Sequence, residues 1–293
     1  MQPRGGVPAS VPVGDLLQVA AATMQQERGR LNALSSFGGE GTHGDRMARA
    51  FRDAAYAVHG SGTGDAGEDL QLAGQVLMDP TSRYGRAAVY LGQGLAEAGK
   101  QFIGQTGVSL ADLVPLLTGL LAGAQQGDAA APGQGTLIDV LIPAVTAYTN
   151  AASQGLTYQQ SIQGMLGAAM AGVRNTANMP QPHTPRPKQA PGQAAGQPDP
   201  GAATTQTFLT GLVQGLLGDR VPPTPPGQSN SNFLLNLLQQ GIDLGGVVVR
   251  PPPVNAVESL LGATAAAGRY EQGFDDVSPG YGKGTDIRTD GGV

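Results

Sequence analysis

The chain has 293 residues, enough for one large domain or for one domain with substantial extensions. Charged residues make up 13% of it and the formal net charge is -5, which excludes the basic footprint that nucleic acid or an anionic membrane demands. Cysteine is absent, so disulfides, thiolate catalysis and cysteine-ligated metals are excluded as well.

The amino terminus, Met1 to Gly6, lacks the basic-then-apolar pattern of a signal peptide. No uninterrupted apolar run reaches the roughly 20 residues that span a bilayer. No membrane span is therefore expected, and cytoplasmic residence is the default, with export by another route left open. Residues 1–10 read as an arm. From Val11 to about Met179 apolar residues recur at helical spacing, punctuated by Gly and polar clusters. The first four predicted helices run from Pro12 to Leu34, Gly44 to Val58, Gly67 to Met78 and Tyr84 to Phe102. A fifth is capped by Ser109 and runs through Ala124, a sixth covers Thr136 to Ala152, and Thr157 caps a seventh whose apolar stripe is Ile162, Met165, Leu166, Met170 and Val173. Pro143 falls inside the sixth and predicts a kink or a late start. Pro180 to Pro200 carries too much proline for a helix or a central strand and reads as a loop. Helical character resumes from Thr204 to Leu217. Residues 218–293 form an extension: a break, a short helix in Phe233 to Ile242, a β-like run Val247 to Val249, a triple proline, a last helix from Asn255 to Ala267 and a Gly-rich polar tail.

Hydrophobic residues make up 40% of the chain but aromatics only 4%, and Trp is absent, so the core must be built from Leu, Ala, Val and Ile in closely packed helices. The 46 glycines and 22 prolines exceed average usage and read as a sign of irregular chain. A surface so poor in charge resists association weakly, which is a first hint of an assembly.

One stretch carries a resemblance. Leu31-Asn32-Ala33-Leu34-Ser35, then Gly39-Glu40-Gly41-Thr42-His43-Gly44, then Met47 and Arg49-Ala50-Phe51, resembles the nucleotide-binding DhaL domain of dihydroxyacetone kinases, which reads Leu-Asn-x-Leu-Asp, Gly-Asp-x-Asp-His-Gly and Met-x-Arg-Gly-Phe. Gly133-Gln134-Gly135-Thr136-Leu137-Ile138-Asp139 is similar to the family's Gly-Asp-Lys-Thr-Met-x-Asp, and Asp199-Pro200-Gly201-Ala202 to its Asp-Pro-Gly-Ala. The echoes keep the family order from Val11 to Leu217. The resemblance implies an all-α fold, an up-and-down antiparallel barrel of eight helices over residues 11–217, with irregular Pro/Gly-rich extensions at both ends.

In that family three aspartates hold two magnesium ions that bridge nucleotide phosphates, because hard cations need oxygen ligands and compensating charge. Carried over, those positions hold Ser35, Glu40 and Thr42, so one carboxylate of three remains. The family's Gly-Gly-Ala-Ser-Gly phosphate loop falls on Asp79-Pro80-Thr81-Ser82-Arg83, where Pro80 has no N–H and Asp79 brings negative charge. Nucleotide-site positions otherwise fall on His43, Ser82, Thr136 and Asp199. His43 alone at a helix start is more often a local cap or a solvated side chain, and Glu40 a solvated loop carboxylate.

The leading expectation is a non-enzymatic, self-assembling structural protein without cofactor, a homo-oligomer or filament. In it, Phe233, Leu234, Leu237 and Val248 of the extension dock on neighbouring copies. A second reading is a non-catalytic module binding a nucleotide or small ligand in the barrel's cavity. A third is a weakly active phosphotransferase subunit of the dihydroxyacetone kinase type.

Overall fold

A computed structural model describes residues 10–36, 41–126, 132–179 and 196–241. Glu40, Val248, the Val247 to Val249 run, most of the proline-rich loop and the last expected helix lie outside them. The described residues contain nine α-helices and no strand: α1 Val13–Ser36, α2 His43–Ser61, α3 Ala66–Met78, α4 Arg86–Gly99, α5 Leu113–Gln126, α6 Ile138–Ser153, α7 Tyr158–Thr176, α8 Pro200–Leu217 and α9 Asn230–Gln240. Each of the first eight packs against the next, and α8 returns to α1, so the antiparallel series closes into a barrel. One isolated antiparallel bridge, Val11 with Val108, ties the lead-in of α1 to the turn before α5.

The expected caps are present. Ser109 and Thr157 each form a capping box, with Asp112 and Gln160 returning the bond. Helix α8 begins four residues earlier than its apolar pattern predicts, because Asp199 caps it through the Ala202 amide at 2.7 Å and Pro200 fills the first position, where a missing N–H costs nothing. Pro143 does not stop α6. It deprives the Asp139 carbonyl of its helical partner, and that carbonyl is where Gly172 lets α7 come closest.

Many glycines turn out to sit inside helices, not in irregular chain. A Cβ on Gly74 would stand 2.5 Å from the Gly92 carbonyl oxygen, and one on Gly123 would stand 2.2 Å from that of Gln93. The α3–α4 and α4–α5 pairs are thus backbone-to-backbone contacts, which is how a core with few aromatics reaches high packing density.

Helix α8 is buried almost all round, flanked by α1 and α7, covered by α9 and facing α4 and α6 across the barrel. Its buried threonines are tolerated because Thr204, Thr205, Thr207 and Thr210 each donate to the carbonyl four residues back, at 2.9–3.1 Å. Phe208 meets Phe51 at 5.3 Å between ring centroids. Inside the barrel an apolar void lined by Leu16, Leu95, Leu116 and Phe208 measures about 10 Å³, room for one water at most.

The first piece of the extension docks on its own chain. Helix α9 packs on α7 and α8, with Leu234 and Leu238 fully buried. Gln159 and Gln163 of α7 both donate to the Leu238 carbonyl. Leu234 is therefore buried against its own chain here, while Phe233 and Leu237 are half-buried.

Candidate functional site

Because the helices alternate in direction, the N-termini of α2, α4, α6 and α8 and the loops leading into them gather at one end of the barrel. The described metal and nucleotide positions singled out from the sequence belong to that end. Ser35 is in the last turn of α1, Thr42 caps α2 without a side-chain bond, His43 is the first residue of α2, Ser82 lies in the turn before α4, Thr136 precedes α6 and Asp199 caps α8.

Local sequence explains the geometry. Asn32 stitches α1 to α2 by accepting from the Asp45 amide at 3.1 Å and donating to the Asp45 carboxylate at 2.9 Å. Gly44 is needed because α2 presses on α1: a Cβ there would stand 2.2 Å from the Arg28 carbonyl oxygen. Gly41 holds the entering turn at φ 69°. His43 then reaches α8, its Nε2 lying 2.7 Å from Thr204 Oγ1. Since the Thr204 hydroxyl gives its proton to the Pro200 carbonyl at 3.0 Å, the ring nitrogen supplies the hydrogen of that contact.

Burial pushes the His43 imidazole down to about 4, the neighbouring Arg46 charge adds to this, and a hydrogen bond with the Pro200 carbonyl opposes it. The unfolded chain therefore binds the proton more readily than the folded one. Stability from His43 is complete above pH 6.5 and is lost as pH falls from 6.5 to about 4. The ring keeps some exposure, so the loss is on the order of 2 kcal/mol. Urea unfolding across that window will show it, and a His43→Gln variant will give a flatter profile.

The other loops are closed on themselves. The Asp139 carboxylate accepts from the Gly133 and Thr136 amides at 2.6 and 2.8 Å, occupying donors that would otherwise face a ligand. Asp79 does the same in the turn before α4, accepting from the Thr81 amide and from the Thr81 and Ser82 hydroxyls. These bonds, led by that of Ser82, hold its carboxyl below the usual range. Arg49 of α2 donates to the Ser82 carbonyl at 3.0 Å and lies over the Tyr84 ring, whose hydroxyl donates to Asp53. Asp199 receives its place from Thr176, which accepts the Asp199 amide at 2.9 Å. The structure thus brings Ser35, His43 and the start of α8 together, and links Ser82 to α2, whereas Thr136 is bonded only within its own loop. Sequence reasoning missed Asp139 and Thr204 as site residues. Asp139 had a visible signal, a carboxylate three residues after Thr136 at a helix start.

Residues 39–214 match the model of a family described as the DAK2 domain. The chain belongs to the DAK2 domain family. A D-erythrulose kinase of Mycolicibacterium smegmatis is 25% identical over 198 residues, covering 65% of this chain and 32% of that protein. Two crystal structures of the C. freundii dihydroxyacetone kinase, the native form and a complex with AMP-PNP and Mg2+, share its fold. The TM-score is 0.51 for each, at 23% and 24% identity, over 73% of this chain and 36% of theirs. The DAK2 domain described here spans about a third of the length of the relatives it matches.

That kinship corrects one expectation. The chain was expected from its altered aspartate positions to be no enzyme, but the relatives it matches are named as kinases, which counts against that expectation. Among the described residues, those at the family's metal positions do not supply the carboxylates that a pair of magnesium ions takes. The Ser35 hydroxyl is spent between the Asn32 carbonyl and the His43 amide, and Thr42 offers a neutral oxygen. Asp45 is held by Asn32 and by Arg28 at 3.5 Å. Among the described residues no group of three or more His, Cys, Asp or Glu side chains stands close enough to hold a metal. Among them, too, no helix is long and apolar enough to cross a membrane.

Proposed function

We propose that this DAK2 domain handles the phosphate donor in phosphoryl transfer to a small ketose, and that it works as an assembly of several copies. The observation that carries the first part is the end of the barrel where four helix N-termini converge and His43, uncharged at neutral pH, bridges α2 to α8. The helix dipoles favour negative charge at that end, and a neutral imidazole there orients without adding charge of its own. The names of the relatives, D-erythrulose kinase and dihydroxyacetone kinase, supply the acceptor class. With its loop amides already bonded to Asp79 and Asp139, the domain meets phosphate through side chains.

Support for assembly comes from the sparsely charged surface and from the half-buried Phe233 and Leu237 on α9. Two measurements test the reading. Release of ADP from ATP with dihydroxyacetone or D-erythrulose as acceptor is expected with Mg2+ or Mn2+ present, and no release with either ketose and either cation would end it. Sedimentation at micromolar concentration is expected to give a mass several times 29.6 kDa, and a monomer would remove the assembly.

A further inference from the structure

The turn between α3 and α4, with the first turns of α4, borders a cleft of about 420 Å³. Arg83 and Arg86 line it, both exposed, and neither guanidinium has an ion-pair or hydrogen-bond partner among the described residues. The cleft's carboxylate, Asp79, is taken up by Thr81 and Ser82. Leu77 and Val89 form an apolar wall, and Gln93 adds a buried side-chain oxygen that has no hydrogen-bond partner among the described residues. A ligand that completes this set brings anions for the two arginines, an apolar group for the wall and an N–H for Gln93. An ionised phosphate brings acceptors only, whereas an acidic peptide brings all three, with its backbone amides as the donors.

The chain carries such a peptide. Residues 270–277, outside the described ones, contain Glu271, Phe274 and the adjacent Asp275 and Asp276, with no Lys or Arg among them. The route to them starts on the wrong side of the barrel for the chain's own cleft. Helix α9 packs on α7 and α8, four places round the barrel from α3 and α4, and its last turn sits against Gln159 and Gln163 near the start of α7, the end away from the α3–α4 turn. From there to the cleft of the same copy is about 50 Å along the surface, by the rise of α7 and the spacing of four helices. The stretch from Gly241 to Phe274, about 33 residues, has a coil dimension of about 32 Å. A second copy set against the far end offers its cleft without that detour.

We infer that residues 270–277 of one copy dock in the α3–α4 cleft of the next, with Asp275 and Asp276 on Arg83 and Arg86 and Phe274 against Leu77 and Val89. The inference rests on the assembly proposed above and names its joint. Arm and cleft are different surfaces, so the contact is head to tail, and the series closes into a ring or runs on as a filament.

The chain has no native cysteine, so a disulfide can join only introduced ones. Full-length Val89→Cys and Phe274→Cys, mixed and oxidised, are expected to form a mixed dimer in severalfold excess over the dimers of either variant alone. In a chain carrying both substitutions the bond is expected between molecules. A bond within one molecule, or no excess of mixed dimer, would overturn the inference. In sedimentation, Arg86→Gln is expected to weaken self-association by about tenfold, the loss typical of one charge-assisted contact. Arg83→Glu with Arg86→Glu, and separately Asp275→Lys with Asp276→Lys, are expected to run as the 29.6 kDa monomer, and an equimolar mixture of the two to recover the assembly, which misfolded variants cannot do. Assembly that neither pair disturbs, or that mixing does not recover, removes this joint and keeps the assembly reading; a wild-type monomer removes both.

Discussion

Replacing Gly123 by alanine will destabilise the domain by about 3 kcal/mol, the upper part of the range for forcing a methyl group into a packed contact. The new Cβ would stand 2.2 Å from the Gln93 carbonyl oxygen, 2.6 Å from its carbon and 2.7 Å from the Gly94 Cα, all of them backbone atoms that no rotamer change can move. Helix propensity pulls the other way by about 1 kcal/mol, so the clash wins. Gly164, in the exposed face of α7, has open space where a methyl group would stand, with nothing within 4 Å. There only propensity acts, and Gly164→Ala is expected to stabilise by about 0.5–1 kcal/mol. Urea unfolding of the pair gives opposite signs if α4 and α5 touch through backbone. Equal signs would mean that the two helices are further apart.

The second large effect is expected at Glu27. It is 5% exposed on α1, pairs with Arg30 at 2.6 Å and accepts the Asn230 amide at 3.0 Å, so one carboxylate anchors the first turn of α9 to the barrel. Arg30 continues the chain of bonds to Thr207 of α8. Glu27→Ala leaves the Arg30 charge and the Asn230 amide without their partner. Removing one member of a buried pair costs about 3–5 kcal/mol, and the partial exposure of Arg30 places this case near 3. Glu27→Gln keeps an acceptor for Asn230 and should lose about half as much. Hydrogen exchange should show the α9 amides losing protection first in Glu27→Ala, ahead of those in α4. Uniform loss over all helices would show that α9 is not a separately anchored piece.

Much of this was legible in the sequence, for reasons that can be named. Ser109 and Thr157 announced their helices because a cap is a local device, readable from neighbours in the chain. The start of α8 was misplaced because Pro200 was read as the end of a proline-rich loop, although proline after aspartate is a helix opening as well. The glycines misled for a similar reason. Their number suggested irregular chain, whereas the spacing of Gly119 and Gly123 on one helix face marked a close approach to α4. At the site, motif order located the loops, and the local patterns by which Asp79 and Asp139 turn their carboxylates on amides two and three residues away were signals left unread. No local rule pairs Glu27 with Asn230, 203 residues away. The docking of α9 in its own chain followed from that pairing, which the sequence does not display.

The seam between α1 and α8 has a consequence during synthesis. Thr23 of α1 meets Gln214 of α8 across 191 residues, which at about 5–20 residues per second leaves the ribosome some 10–40 s to work before the second partner exists. Through that interval the side of α1 that Gly211 and Gly215 of α8 press against, at Leu16, Ala20 and Thr23, lacks its final partner, while α2 is already there to cover another side. A chain that stops before Pro200 would leave that side of α1 without its native partner.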